Sequence, residues 1–212
     1  MLLVAHRTPA SAARCAQLAA AGAGVFEVDV QLRARAVAVS HYLPLALAGR
    51  LQRDNWRLRW HTAGGRDPAL AVVDGHVPAG CRVLLDLKES APDRLRDLVA
   101  ELAGSLPDRQ RYVVCAVDSE PLADARAAGF ATWRTARDRR ELARLLADGR
   151  LPDEAVSIRH SLLDAVRIEQ LHAAAPLVVA WTVNDRSRAR MLRGLGVDGV
   201  TTDRTAVLRE LA

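Results

Sequence analysis

The residue types able to do chemistry stand at the ends of short apolar runs in the first half of the chain. "LLVAH" ends in His6 and leads into Arg7. "GVFEVDVQL" carries Glu27 and Asp29, "AVAVSH" ends in His41, and "RVLLDLK" carries Asp86 and Lys88. Side chains alternate across a strand, so residues two apart share a face. Glu27 therefore projects with Asp29, and Asp86 with Lys88. Four strand ends would bring two imidazoles, three carboxylates, a guanidinium and an ammonium to one rim. Three carboxylates on one wall repel unless a cation joins them, and oxygen-only donors suit Mg2+ or Ca2+ rather than zinc or copper. Such an ion polarises a phosphoryl or carbonyl oxygen. Arg7 and Lys88 add fixed positive charge, which suits an anionic substrate. Two histidines that titrate near neutrality can act as base and acid on opposite sides of a reacting centre. Together these types describe phosphoester cleavage.

Lys88 is the only lysine among 30 basic residues, so the other 29 are arginine. A solvated surface cation can be either type. A position that needs a compact ammonium on a flexible stem cannot. The sequence predicts that Lys88 occupies such a position.

These residues need a scaffold that gathers strand ends. Apolar runs alternate with Ala/Leu/Arg helical patterns along most of the chain. Examples are "RVLLDLK" before "APDRLRDLVAELAGSL", "RYVVCAV" before "EPLADARAAG" and "LVVAWTV" before "DRSRARMLRGLG". Repeated strand–helix alternation implies a parallel sheet. About eight strands fit a closed (β/α)8 TIM-type barrel better than an open doubly wound sheet. In such a barrel the reacting groups gather at the C-terminal strand ends. No glycine-rich nucleotide loop is present. The stretch from Tyr42 to Gly80 is too long for an ordinary connection, so it is either functional or partly helical. Within it, "NWRLRWHTAGG" places Trp56, Trp60, Arg57, Arg59 and His61 together, as a lid over an anionic ligand would. Residues 1–212 read as one domain.

Bulk properties exclude more than they assign. The net charge of +5 permits an anionic substrate, but 25 acidic residues are interspersed. No long basic run interleaved with aromatics marks a nucleic-acid surface. Cys15, Cys81 and Cys115 are odd in number and lack CxxC spacing, which argues against a disulfide framework or a zinc site. They read as reduced thiols of a cytoplasmic protein. The start "MLLVAHRTPA" is too soon polar for a signal peptide, and no apolar run approaches the roughly 18 residues of a membrane span. The oligomeric state is not legible in the sequence.

Several stretches carry a family likeness. "AHRTPASA" resembles a His-Arg-Gly turn followed by a helix, "VFEVDVQL" a Glu-x-Asp strand, "VAVSHYLPL" a strand ending in His-Asp, and "LLDLK" an acidic-x-Lys strand. "VVAWTVNDRSRARMLRGLGVDGVTTDR" is the most specific stretch. In this order they resemble the glycerophosphodiester phosphodiesterase family, a metal-dependent barrel. The resemblance implies that Glu27, Asp29 and Asp86 hold one divalent ion, Mg2+ or Ca2+. It implies His6 and His41 as the acid/base pair, or one of them as the group attacking phosphorus. Arg7 and Lys88 would bind phosphate oxygens, and Trp181 would line the substrate pocket. The implied activity is hydrolysis of a small glycerophosphodiester, in lipid metabolism. Three positions depart from the pattern. Thr8 stands in place of Gly, so the first turn is less able to adopt positive φ. Tyr42 stands in place of an Asp that could orient His41. Asp86 stands in place of Glu, and an Asp-x-Lys pair also resembles the phospholipase D toxins, which cyclise lysophospholipid headgroups on the same barrel. A lyase or transferase on this site is thus one alternative. A barrel that has lost catalysis and binds a phosphorylated ligand is another.

Overall fold

The computed structural model describes residues 1–33, 36–40, 43–46, 51–54, 57–60, 68–89 and 91–212. The strands in chain order are β1 (Leu2–Ala5), β2 (Val25–Arg33), β3 (Ala36–Val39), β4 (Leu43–Ala46), β5 (Leu51–Asp54), β6 (Arg57–Trp60), β7 (Arg82–Leu87), β8 (Tyr112–Ala116), β9 (Ala131–Ala136), β10 (Ala155–Arg159), β11 (Leu177–Trp181) and β12 (Gly199–Thr202). The helices are α1 (Ala12–Ala20), α2 (Leu70–Asp74), α3 (Pro92–Ser105), α4 (Ser119–Ala127), α5 (Arg139–Ala147), α6 (Ala165–Ala174), α7 (Arg186–Gly194) and α8 (Thr205–Leu211).

Eight of the strands pair in parallel around a closed ring, β1-β2-β7-β8-β9-β10-β11-β12, and β12 returns to β1. This is the (β/α)8 barrel that the alternation predicts. The helices start on capping signals legible in the sequence. Ser11, Asp138, Asp164 and Asp185 each accept a backbone N–H at the start of α1, α5, α6 and α7, and Pro92 opens α3. Runs such as "YVVCA" and "LVVAW" are apolar on both faces because each barrel strand is covered inside and out. One core lies between sheet and helices. A second fills the barrel, with Val4, Val25, Leu84, Val113, Trp133 and Val179 packed together. Trp133 is fully buried there and plugs the interior beneath the polar strand ends. Gly199 lets the last strand close on the first. A Cβ there would stand 3.1 Å from the carbonyl oxygen and Cβ of Leu2 and from Val179.

One expectation needs correction. "AVAVSH" is not a barrel strand, because β3 pairs antiparallel with the far end of β2, Val30 opposite Val39. β2 outruns the barrel wall, and its extra length is covered by a hairpin. Three barrel strands, rather than four, therefore carry the charged set among the described residues. The Tyr42–Gly80 stretch contains an antiparallel sheet of β4, β5 and β6 besides the short helix α2. The stretch is thus partly helical, and Arg57–Trp60 within it is a strand.

Candidate active site

All eight barrel strands open at their C-terminal ends on one cavity of about 530 Å3. Its charged lining comes chiefly from β1, β2 and β7 and the residues that follow them.

β1 ends with the backbone N–H of His6 donating to the Thr202 carbonyl, 3.0 Å away. The chain then turns sharply. Arg7 has φ +54°, a left-handed conformation that costs a non-glycine residue about 1 kcal/mol. Its backbone N–H donates to the Glu27 carboxylate at 2.6 Å. Positive φ therefore falls on Arg7 and not on Thr8, so the Gly-to-Thr departure carries no backbone penalty there. Thr8 is buried, and both its N–H and its hydroxyl donate to the Glu27 carbonyl, each at 2.8 Å. The threonine ties the turn to β2.

β2 and β7 run in register, with Asp29 opposite Asp86. Glu27, Asp29 and Asp86 each bring a carboxylate oxygen within 4.8 Å of the others. Lys88 extends β7 past its last strand residue by donating its backbone N–H to the Val30 carbonyl. Its ammonium bridges Asp86 and Asp29, at 3.0 Å from the Asp29 oxygen. Burial, reinforced by Asp29 and Asp86, pushes the Glu27 carboxyl well above the usual range. Burial also raises Asp86, against the pull of Lys88. Burial alone would lower Lys88, but Asp86, Asp29 and Glu27 outweigh it and hold the ammonium above its ordinary value. Three carboxylates thus face one ammonium. The donors are oxygen only, and a divalent cation fits this set.

His6 lies against this wall, its Nε2 4.0 Å from a Glu27 oxygen. Its Nδ1 meets Asp203 at 2.7 Å. That hydrogen bond, with a further one from Asn184, holds the Asp203 carboxyl down to about 2. The opposite strands are neutral where they line the cavity, with Cys115, Thr135, Ser157, Thr201 and Trp181, while Asp118 and Arg137 follow β8 and β9. Burial and the Asp86 charge push the Cys115 thiol well up. The Trp181 indole N–H donates to the Ser157 carbonyl at 3.0 Å, which pins the ring against the barrel. Arg137 also lines the cavity and pairs with Glu141.

The structure therefore brings together His6, Arg7, Glu27, Asp86, Lys88 and Trp181 as cavity lining, with Asp29 in the carboxylate group. His41 and its neighbour Tyr42 lie outside the described residues, as do most residues of the expected lid. Ser40, just before His41, donates its backbone N–H to the Asp29 carbonyl at 2.9 Å. Asp203, Asn184 and Arg137 are not among the site residues expected from the sequence. The parity that pairs Glu27 with Asp29 also pairs Asp203 with Thr201, one residue past the end of β12.

Residues 129–207 match the profile of the Glycerophosphoryl diester phosphodiesterase family. Over these residues the chain is similar to that family. The family's members are phosphoric diester hydrolases. The match covers β9 to β12 and the closing signature. No curated protein matches the chain. Among solved structures, a glycerophosphodiester phosphodiesterase from Thermotoga maritima aligns with TM-score 0.73 and 18% identity, over 100% of this chain and 98% of that one. An Oleispira antarctica phosphodiesterase, solved with its product sn-glycerol-3-phosphate, aligns with TM-score 0.71 and 19% identity, over 100% and 96%. At these identities the likeness is one of fold. Among the described residues, no helix is long and apolar enough to cross a membrane.

Proposed function

We propose that this barrel hydrolyses a small phosphodiester of the glycerophosphodiester type and depends on one divalent cation, Mg2+ or Ca2+. The carrying observation is the convergence of Glu27, Asp29 and Asp86 within 4.8 Å, beside His6 and Lys88, at the open end of the barrel. Glu27, Asp29 and Asp86 would hold the ion. When bound, it supplies Lewis-acid polarisation of a phosphoryl oxygen. The protein's own groups do the rest. Arg7 and Lys88 bind the phosphate oxygens and offset charge that builds on them. One of the pair His6 and His41 takes a proton from the attacking hydroxyl, and the other gives a proton to the departing alcohol. Trp181 packs against the alcohol portion. Substrates of this kind arise from deacylated phospholipids, so the reaction belongs to lipid turnover. A cytoplasmic setting agrees with three free cysteines, two of them buried. Residues 1–212 act as one domain in this reading.

The test is turnover of glycerophosphocholine with Mg2+ or Ca2+, and again after chelation, with products followed by phosphorus NMR. Hydrolysis gives a phosphomonoester that disappears from the reaction on chelation. A cyclic phosphodiester product would replace hydrolysis by the lyase reading. Binding of glycerol phosphate without turnover would replace it by the ligand-binding reading.

A further inference from the structure

We infer that Gln31, Glu89 and Arg94 are positioning residues: they fix the far end of β2 and, through it, the chain that leads into His41. The inference rests on the phosphodiesterase reading above, in which His41 is one of the acid/base pair.

The first observation is a ladder continued by side chains. β2 has nine residues and β7 only six. Their parallel pairing ends where Lys88 donates its backbone N–H to the Val30 carbonyl at 3.0 Å. The next two bonds of a parallel ladder would join Leu32 to the backbone beyond Lys88. Side chains make both of them instead. The Leu32 N–H donates to the Glu89 carboxylate at 2.8 Å, and the Leu32 carbonyl accepts from the Arg94 guanidinium at 2.6 Å. Arg94 also donates to both Glu89 oxygens, at 2.9 and 3.1 Å. The loop after β7 and the first turn of α3 thus close an edge that β2 would otherwise leave open. Glu89 lines the main cavity, but its carboxylate is engaged by these donors.

The second observation lies on the opposite edge of the same overhang, where β3 pairs. Gln31 follows Glu27 and Asp29 on one face of β2, two residues further on. It is 1% exposed. Its amide nitrogen donates to the Ser40 carbonyl at 2.8 Å. A carbonyl only accepts, so the amide orientation is determined by its partner. The Ser40 N–H donates to the Asp29 carbonyl at 2.9 Å. Both backbone groups of Ser40 are therefore held by β2. The Ser40 carbonyl belongs to the peptide unit that joins Ser40 to His41. From the other side, the Val39 N–H donates to the Pro68 carbonyl at 2.8 Å.

The two observations form one chain of support. Arg94 and Glu89 hold Leu32, β2 carries Gln31, and Gln31 holds the peptide that precedes His41. Asp29 stands on the same strand, so the position of the His41 segment is referred directly to the carboxylate group. None of the three residues needs to touch substrate to set that relation.

The experiment is a double-mutant cycle in kcat on the full chain, read as choline release from glycerophosphocholine with divalent ion. A merely structural residue lowers kcat whether or not His41 is present. A residue that acts by placing His41 has nothing left to lose once that histidine is gone. Gln31→Met should lower kcat by about 10²-fold with KM little changed, and Glu89→Ala by about 10-fold. Neither should lower it further in a His41→Ala background. Glu89→Gln should recover most of the loss, because it keeps an acceptor for the Leu32 N–H. In Glu89→Ala, amide exchange at Val39 and Ser40 should quicken while β9 to β11 exchange as in wild type. Additive losses in the His41→Ala background overturn the inference. If Gln31→Met does not fold, the Glu89→Ala cycle and its exchange pattern decide the matter in the same way. If His41→Ala is impaired while Gln31→Met and Glu89→Ala turn over like wild type, the inference fails alone. If His41→Ala also turns over like wild type, the phosphodiesterase reading of the histidine pair fails with it.

Discussion

The two walls of the cavity differ in kind. Strands β1, β2 and β7, with the residues just after them, contribute His6, Arg7, Glu27, Asp29, Asp86 and Lys88. Strands β8 to β12 contribute the neutral Cys115, Thr135, Ser157, Thr201 and Trp181, and the residues after β8 and β9 add Asp118 and Arg137. A barrel closes symmetrically, but its charge does not distribute that way. The lopsidedness suits a substrate with one charged centre and one neutral arm. Phosphate would meet the cations on the first wall, and the alcohol would rest on the second. The family profile, by contrast, matches residues 129–207, which are mostly the neutral wall. The half with the sequence signature and the half with the charged residues are therefore different halves. Asp203 and Asn184 link them, because they reach from the signature half to His6.

The comparison can be broken most severely at the carboxylates. Glu27→Gln combined with Asp29→Asn should abolish divalent-ion binding by calorimetry and lower kcat by about 10³-fold or more. Metal-free turnover at the wild-type rate would refute the charged-wall assignment. Next is Lys88. Its ammonium fits between Asp29 and Asp86, where a broad planar guanidinium fits poorly. Lys88→Arg should keep the charge and still lose about 10²–10³ in kcat, with an unchanged melting curve. An active Arg variant would mean that only charge is required there.

The walls should also separate by pH in the metal-free protein. Glu27 and Asp86 have folded values raised above the ordinary carboxyl range. Their contribution to stability is full below about pH 4 and is lost as pH rises through the raised values. Divalent ion should cancel that loss, and Glu27→Gln should flatten it. Asp203, at about 2, has the opposite sign. Its contribution is present above about pH 4 and is lost as pH falls toward 2. Melting temperature against pH, for wild type and Asp203→Asn, reads both limbs. On the neutral wall the effects should be smaller. Trp181→Ala should raise KM by about 10-fold with kcat little changed. Ser157→Ala should be smaller still, within about threefold, because the structure uses the Ser157 carbonyl rather than its hydroxyl.

Strand alternation and strand-end chemistry were legible because both depend on local periodicity. Two residues apart on a strand means the same face, so Glu27 with Asp29 and Asp86 with Lys88 could be paired from the sequence. The solitary lysine could be singled out by counting. The barrel itself followed from the repeated strand–helix unit. Other features depended on contacts between segments far apart in the chain. An apolar run such as "AVAVSH" reads alike whether it pairs parallel or antiparallel, and only the tertiary fold set β3 against the overhang of β2. The left-handed turn fell on Arg7 because Glu27 accepts its N–H, a partner 20 residues away. Asp203 reached His6 across 197 residues only because β12 closes the barrel against β1. Sequence period specified which residues face inward; barrel closure decided which of them meet, because contact between the first and last strands is a property of the closed ring and not of any local stretch.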